Sequence, residues 1–191
     1  MSYRAVFLDR DGVINRAIQR DGKPYPPTSL DTFEILPGVP EACARLKEAG
    51  FLLVVATNQP DVGRGTLTRE TVEAMHTHMR RVLPLDRVEV CYHAGRSEPP
   101  CDCRKPRPGM LLKAARDLDI ALDQSVMVGD RWRDIDAGKA AGCVTVLIDY
   151  DYQETLKAQP DYRARDLAEA AQFILGLEPA ASPRNANAAT E

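Results

Sequence analysis

The sequence has 191 residues and a mass of 21.1 kDa, which suits one domain of ordinary size. Its 25 Lys and Arg residues nearly balance its 28 Asp and Glu residues, so neither nucleic acid nor an anionic membrane is an expected partner. Hydrophobic residues make up 44% and charged residues 28%, which excludes a disordered or fibrous chain, and no apolar run reaches the ~20 residues of a membrane span.

The first predicted element is a short apolar strand over residues 3–8, which stops at Asp9-Arg10-Asp11-Gly12. Because the acids Asp9 and Asp11 come where a secretory leader would have a charged, apolar and small-residue pattern, we expect a cytoplasmic protein. Residues 16–36 are rich in Pro and polar side chains and predict an extended flap or loop.

Strands and helices then alternate along the chain. Short apolar runs typical of strands buried on both faces cover residues 51–56, 88–92, 125–128 and 144–148. Helices are predicted over residues 40–49, from Thr68 onward, over 110–118 and over 134–141. This alternation predicts a doubly wound α/β sandwich with right-handed crossovers. We expect one domain over residues 1–175 and a disordered tail over 176–191.

Polar side chains follow three of the predicted strands. Asp9 and Asp11 end the first strand, Thr57 and Asn58 end the second, and Asp130 ends the fourth. A lone Asp at such a place is usually a turn former or a helix cap. Ligands of open α/β sheets bind at the carboxyl ends of strands, however, and carboxylates beside a hydroxyl suit a phosphate and Mg²⁺ site.

Together with Lys105, these residues resemble, in order, the four motifs of the haloacid dehalogenase (HAD) superfamily of phosphatases over about residues 3–148. The resemblance implies a HAD-like Rossmannoid three-layer sandwich with a mostly parallel central sheet. It implies that Asp9 attacks phosphorus and that Asp11 acts as acid and then base. It implies that Asp9, Asp130 and the backbone carbonyl of Asp11 bind Mg²⁺. It also implies that Thr57 and Lys105 stabilise charge on the transferring oxygens.

An ordinary Asp has a pKa of about 3.9 and is ionised at neutral pH. Acting as an acid therefore requires that Asp11 be held partly protonated, and we expect acidic neighbours and the phosphate dianion to do this.

The chain has five cysteines, so complete internal pairing is impossible, and three of them cluster with a histidine. Cys91 and His93 form one ligand pair, and Cys101 and Cys103 form a second, which suits a closed tetrahedral Zn²⁺ site. Such a site has no open position, so the zinc is expected to be structural. The alternatives are reactive or incidental surface cysteines, and a nucleic-acid-binding zinc ribbon, which the net charge of -3 disfavours.

The zinc cluster precedes Arg104 and Lys105 directly, and zinc there is expected to hold a loop over residues 97–108 in one shape. That loop would place both cations at the phosphate without a large cap domain. Together with Asn58 and, by resemblance, Arg131, Arg104 is an expected substrate-binding residue. For Arg131 the alternative is a surface ion pair.

The zinc pattern running into Arg-Lys-Pro-x-Pro-Gly-Met at residues 104–110 resembles the D-glycero-D-manno-heptose 1,7-bisphosphate phosphatase family, and Gln59 and residues 63–65 match that family too. The resemblance implies removal of the 7-phosphate of a small phosphorylated sugar, in heptose synthesis that feeds lipopolysaccharide or other glycans. We expect a monomer. Histidinol-phosphate phosphatases share the zinc pattern but typically lack the Pro-Gly-Met continuation. The third alternative, a catalytically idle phosphosugar-binding or interaction module, has no need of the Asp9 and Asp11 pair.

Several nearby residues have two interpretations. Asp134 either reaches the metal through water or caps the last predicted helix, and Trp132 either lines the pocket or packs on the fold. His76 and His78 are two residues apart on a predicted helix and do not share a face, so both are interpreted as ordinary helix residues.

Overall fold

A parallel sheet forms the centre of the protein, for which a computed structural model describes residues 2–20, 23–95 and 101–177. The strands in chain order are β1 (Ala5–Leu8), β2 (Ile18–Arg20), β3 (Lys23–Tyr25), β4 (Leu52–Asn58), β5 (Arg87–Cys91), β6 (Val126–Gly129), β7 (Val144–Ile148) and β8 (Tyr162–Ala164). Strands β2 and β3 form an antiparallel hairpin, and the other six form one sheet in the order β5-β4-β1-β6-β7-β8. All neighbours in this sheet are parallel, so β4, β1 and β6 end side by side at one edge.

Helices cover both faces of the sheet. They are α1 (Val39–Glu48), α2 (Pro60–Gly63), α3 (Arg69–Val82), α4 (Gly109–Leu118), α5 (Trp132–Ala141) and α6 (Leu167–Leu175), with 3₁₀ turns at Leu30–Thr32 and Leu122–Gln124. Alternate β1 side chains enter two different cores: Val6 and Leu8 pack with α1, α3 and α6, whereas Ala5 and Phe7 pack with α4. The sheet is therefore the middle of three layers, as the sequence predicted.

The predicted strands and helices are confirmed, with ends shifted by a few residues. Residues 16–36, predicted to form an extended flap or loop, contain the β2–β3 hairpin and a 3₁₀ turn, neither of which the sequence predicted. The sequence did not predict α2, β8 or α6. A signal for α6 was available, since Asp166 caps it by accepting a hydrogen bond from the backbone N–H of Glu169 at 2.8 Å.

The predicted tail lies almost wholly outside the described residues, which end at 177, so the division at residue 175 stays a prediction. In the described ranges, every helix is too short or too polar to cross a bilayer.

Candidate active site

A cleft of about 330 Å³ lies at the carboxyl edge of the sheet. Asp9 and Asp11 follow β1, and Asp130 follows β6, so the parallel order of these strands brings acids distant in sequence to one place. The predicted site residues that line the cleft are Asp9, Asp11, Asn58, Arg104, Lys105, Asp130 and Arg131.

Three carboxylates cluster in this cleft: one oxygen from each of Asp9, Asp130 and Asp134 lies within 4.8 Å of the others. Burial raises the pKa of Asp9 to about 6, although the Lys105 ammonium opposes this shift. Burial and then the charges of Asp9 and Asp134 raise the pKa of Asp130 well above its usual range. Three carboxylates against the one ammonium of Lys105 leave the cluster with an excess of formal negative charge.

The cluster fits Mg²⁺, which prefers oxygen ligands and often takes one or two carboxylates. Asp130 Oδ1 is buried and has no hydrogen-bond partner among the described residues. Gly12, at a φ of +90°, lets the chain pass so close that a Cβ there would lie 2.2 Å from Asp130 Oδ2. The Asp11 carboxylate is not one of the three clustered groups, consistent with an expected metal contact through its backbone carbonyl.

Asp134 belongs to the site and also supports the start of a helix. The helix α5 begins at Trp132, so its N-cap is Arg131 and Asp134 is the third helical residue. The interpretation of Asp134 as the N-cap is therefore wrong. Its Oδ2 accepts a hydrogen bond from the backbone N–H of Arg131 at 3.0 Å, while its Oδ1 lies 2.6 Å from Lys105 Nζ. One carboxylate thus links the first turn of α5 to the buried cation.

Lys105 is almost fully buried, and its ammonium lies between two acids, 2.9 Å from Asp9 Oδ1 and 2.6 Å from Asp134 Oδ1. The side chain of Asn58, at the end of β4, holds the backbone of Lys105. Asn58 Nδ2 donates to the Lys105 carbonyl at 3.1 Å, and the Lys105 N–H donates to Asn58 Oδ1 at 3.1 Å. Asn58 was predicted to bind substrate. In the structure its side chain makes these two hydrogen bonds, which position Lys105.

Asp11 is held by donors. Gln59 Nε2 donates to Asp11 Oδ2 at 2.9 Å and to Thr57 Oγ1 at 2.9 Å, and Asn15 Nδ2 donates to Asp11 Oδ1 at 3.0 Å. Arg10 adds a paired contact through its guanidinium. The sequence suggested acidic neighbours for Asp11, whereas its direct contacts are all hydrogen-bond donors.

Arg131 is paired within the protein. Its Nε donates to Glu154 Oε2 at 2.7 Å, and a second contact joins Nη2 to Glu154 Oε1. The hydrogen bonds to Glu154 and the charge of that carboxylate raise the pKa of Arg131. The ion-pair alternative is thus the visible contact of Arg131, even though the residue also lines the cleft. Trp132 lines a neighbouring cavity of about 200 Å³, and Lys157 Nζ lies over its ring, 4.3 Å from the ring centroid.

Three other arginines line the cleft: Arg64, Arg104 and Arg133. Burial, then the Arg133 charge and more weakly the Arg64 charge, lower the pKa of Arg104. Arg133 Nε is buried and lacks a hydrogen-bond partner in the part of the chain that the structure describes. Like charges gathered in this way are stabilised by an anion, so these three residues, of which the sequence singled out only Arg104, are suited to binding one.

The Cys/His cluster comes together as the sequence spacing predicted. Cys91 Sγ lies 3.7 Å from Cys101 Sγ, 3.1 Å from Cys103 Sγ and 3.5 Å from His93 Nδ1. A tetrahedral centre with bonds of about 2.3 Å to sulfur places its ligand atoms about 3.8 Å apart. None of these thiols is in a disulfide, so the four ligand atoms fit one zinc ion.

Arg10 and His76 are the most deeply buried charged and titratable residues that sequence reasoning passed over. Both side chains are fully buried, and Arg10 Nη1 lies 3.2 Å from His76 Nε2. His76 lies in α3 as predicted, but its burial and its contact with Arg10 were not predicted. His78, on the same helix, contacts its helix neighbour Arg81 and lies edge-on to Phe33. A signal for Arg10 was its place between Asp9 and Asp11.

Comparison with known proteins agrees with this geometry. A HAD-hydrolase-like family model matches residues 102–170. The D-glycero-D-manno-heptose-1,7-bisphosphate 7-phosphatase of Thermosynechococcus vestitus is 35% identical over 191 aligned residues, covering 89% of this chain and 94% of that protein. The D-glycero-beta-D-manno-heptose-1,7-bisphosphate 7-phosphatase of Escherichia coli K12 is 39% identical over 157 residues, covering 77% of this chain and 79% of that protein.

A solved structure resembles the whole fold. The crystal structure of D,D-heptose 1,7-bisphosphate phosphatase from B. bronchiseptica, complexed with magnesium and phosphate, is 35% identical and has a TM-score of 0.78. The match covers 90% of this chain and 98% of that chain. Sequence and fold therefore point to the same group of proteins over most of the chain.

Proposed function

Because this chain belongs to the D-glycero-D-manno-heptose 1,7-bisphosphate phosphatase family of HAD-like hydrolases, we propose that it removes the 7-phosphate from a heptose 1,7-bisphosphate. The observation that carries this proposal is a single cleft that contains both a carboxylate cluster with a buried lysine and a group of three arginines. The first suits phosphoryl transfer, and the second suits another phosphate on the same substrate.

Asp9 is the nucleophile of the first step. Its Oδ1 accepts a hydrogen bond from the backbone N–H of Arg10 at 2.8 Å and contacts Lys105 Nζ at 2.9 Å, which leaves Oδ2 to attack phosphorus. The bond from phosphorus to the sugar oxygen breaks, and an aspartyl-phosphate forms on Asp9. Asp11 donates a proton to the departing oxygen, so the sugar leaves as an alcohol.

Asp11 serves as the base in the second step. It takes a proton from water, the water oxygen attacks phosphorus, and the bond to Asp9 breaks to release inorganic phosphate. Thr57 Oγ1 accepts from Gln59, which leaves the hydroxyl hydrogen to donate to a phosphate oxygen.

Asp9, Asp130 and the backbone carbonyl of Asp11 would hold Mg²⁺, with Asp134 beside it. When bound, Mg²⁺ supplies the positive charge that allows an anionic phosphate to approach these carboxylates. The single ammonium of Lys105 contacts Asp9 and Asp134 and does not balance the three carboxylates of the cluster.

Arg104, Arg133 and Arg64 form the proposed subsite for the second phosphate of the substrate. Lys105 is paired with Asp9 and Asp134, so it is occupied at the reacting phosphate. The buried Arg133 Nε, which has no partner in the described residues, is the donor most in need of an acceptor. A bisphosphate satisfies both parts of the cleft, whereas a monophosphate leaves the arginines without an anion.

A structural zinc at Cys91, His93, Cys101 and Cys103 is part of the proposal. The site is closed by four protein ligands, and its last ligand is followed at once by Arg104 and Lys105. Zinc would fix the start of this loop, and Asn58 fixes its backbone at Lys105. We further propose that the protein acts as a cytoplasmic monomer in heptose synthesis for lipopolysaccharide or other glycans.

Substrate choice tests the proposal. We expect kcat/KM for heptose 1,7-bisphosphate to exceed that for heptose 7-phosphate and for histidinol phosphate by about tenfold or more, since charge-assisted hydrogen bonds contribute about 1.5–3 kcal/mol each. The measurement is phosphate release over this panel with Mg²⁺ present. A higher kcat/KM for histidinol phosphate would refute the heptose assignment and favour the related histidinol-phosphate phosphatases.

Replacing Arg133 tests the second-phosphate subsite. We expect Arg133→Gln to raise KM for the bisphosphate about tenfold while changing KM for heptose 7-phosphate by less than about twofold, because only the bisphosphate presents the second anion. Arg116→Gln is the matched control, since Arg116 is a largely exposed arginine whose visible pairing is with Asp117. Equal effects of Arg133→Gln on the two substrates would remove this subsite from the proposal.

A further inference from the structure

A buried chain of polar side chains leads away from Asp11, behind the cleft. Arg10 Nε lies 3.1 Å from Asp11 Oδ1, and Arg10 Nη2 lies 3.0 Å from both carboxylate oxygens. The Arg10 side chain is fully buried, and Asp11 is 17% exposed. This pairing resists reorientation of the carboxylate, because a planar guanidinium offers its donors in a fixed geometry.

His76 supports Arg10 from the other side. The two residues are 66 positions apart in sequence, yet Arg10 Nη1 lies 3.2 Å from His76 Nε2, and both are fully buried. Arginine has only donors, so His76 Nε2 must be the acceptor. The imidazole is therefore neutral and carries its proton on Nδ1.

Glu73 lies between His76 and the Cys/His loop. His76 Nδ1 faces Glu73 Oε2 at 3.6 Å, and Glu73 Oε1 accepts a short hydrogen bond from the Tyr92 hydroxyl. Tyr92 stands between Cys91 and His93, two of the proposed zinc ligands. The distance of 3.6 Å is longer than a hydrogen bond, and His76 Nδ1 has no hydrogen-bond partner among the described residues, so the hydrogen-bonded network runs from Asp11 through Arg10 to His76.

Phosphatase chemistry on Asp9 has no direct need of His76, which does not line the cleft. Packing alone does not require a histidine at this buried position of α3, because an apolar side chain of similar size would fill the same space. The hydrogen bond that His76 makes is the one it accepts from Arg10. Without His76, the buried Nη1 of Arg10 would lose its acceptor. Any effect of Arg10 and His76 on the reaction therefore has to act through Asp11, the residue of the cleft that the Arg10 side chain contacts.

On these contacts we propose that Arg10 and His76 are positioning residues, which hold the Asp11 side chain where its carboxyl group can protonate the leaving oxygen. The inference rests on the proposed function, since it takes Asp11 as the acid of the first step. In that step the proton of Asp11 passes to the sugar oxygen as the bond from phosphorus to that oxygen breaks. A sugar alkoxide is a poor leaving group and needs this proton, whereas p-nitrophenolate leaves without it.

Leaving-group dependence provides the test. We expect His76→Leu to slow single-turnover cleavage of the sugar phosphate about tenfold while slowing release of p-nitrophenolate from p-nitrophenyl phosphate by less than about twofold. KM for the sugar phosphate should be unchanged. We expect His76→Gln, whose amide oxygen can accept from Arg10, to recover most of the rate. His78→Leu is the matched control, because His78 lies on the same helix and contacts Arg81 rather than Arg10.

Arg10→Lys provides a stronger perturbation, since lysine keeps the charge but loses the paired donors, and we expect a loss of about a hundredfold on the sugar phosphate. If this variant does not fold, as shown by its circular dichroism, the His76 variants alone decide the question. Equal slowing of both substrates by His76→Leu, or slowing of neither, would overturn the inference. A wild-type enzyme that hydrolyses another phosphosugar but not heptose 1,7-bisphosphate would refute the proposed substrate only, and the same ratio would then be measured with that phosphosugar.

Discussion

Replacement of Asp9 by asparagine is expected to abolish turnover, with a fall in kcat on the order of 10⁴-fold or more, because an amide cannot form the aspartyl-phosphate that the reaction requires. The fold should persist. Asp9 lies in a cluster whose burial and negative neighbours raise its pKa to about 6, so its ionised form is disfavoured in the folded protein. A raised carboxyl pKa means that ionisation at neutral pH reduces stability, and the neutral amide removes that reduction.

The measurements for Asp9→Asn are steady-state phosphate release and thermal denaturation of the metal-free protein near neutral pH. We expect the melting temperature of Asp9→Asn to equal or exceed that of the wild type, while activity is lost. Asp31→Asn is the control for removal of one negative charge, since Asp31 is exposed in a 3₁₀ turn away from the cleft, and it should keep full activity. Normal turnover by a well-folded Asp9→Asn protein would refute the covalent mechanism.

Removal of one zinc ligand is expected to have the second-largest effect, even though no catalytic group is lost. Cys103→Ala leaves three ligands, which lowers affinity for zinc, and structural zinc contributes directly to folding free energy. Arg104 and Lys105 follow this cysteine, so loosening the loop displaces both. A misplacement of about 1 Å can lower a rate on the order of a hundredfold, and we expect a loss of this size in kcat/KM together with a lower melting temperature.

Metal analysis, activity and thermal denaturation check this prediction together. The wild type purified under reducing conditions without chelator should contain about one zinc per chain. Cys143→Ala is the matched control, because Cys143 is a buried thiol in the core, outside the cluster of four ligands, and that variant should keep its zinc and its activity. Mild chelation should stop catalysis reversibly through Mg²⁺ while zinc stays bound. A Cys103→Ala protein with full activity and an unchanged melting temperature would show that the cluster is incidental.

The sequence by itself determined the features that depend on local pattern. Short apolar runs alternating with helical patterns predicted the parallel sheet, and Asp9 and Asp130 each follow a strand directly. Because parallel strands end at one edge, position along a strand was enough to predict that these acids meet. The close spacing of Cys91 with His93 and of Cys101 with Cys103 predicted the four-ligand cluster in the same way.

Only the tertiary structure decided which charges are already paired. Arg131 and Glu154 are 23 residues apart and Asn58 and Lys105 are 47 residues apart, and no periodic pattern links positions so distant. Arg131 lines the cleft and is paired with Glu154, whereas Arg133, which also lines the cleft, has an Nε without a hydrogen-bond partner among the described residues.

His76 shows the physical reason most clearly. On α3 alone it is one more helix residue, and it becomes the acceptor for Arg10 only because the fold packs α3 against the end of β1, with both side chains out of reach of water. Secondary structure depends on the pattern of neighbouring residues, which can be read along the chain. A hydrogen-bond partner depends on distance in space and on burial, and the packing of crossover helices on the sheet sets both.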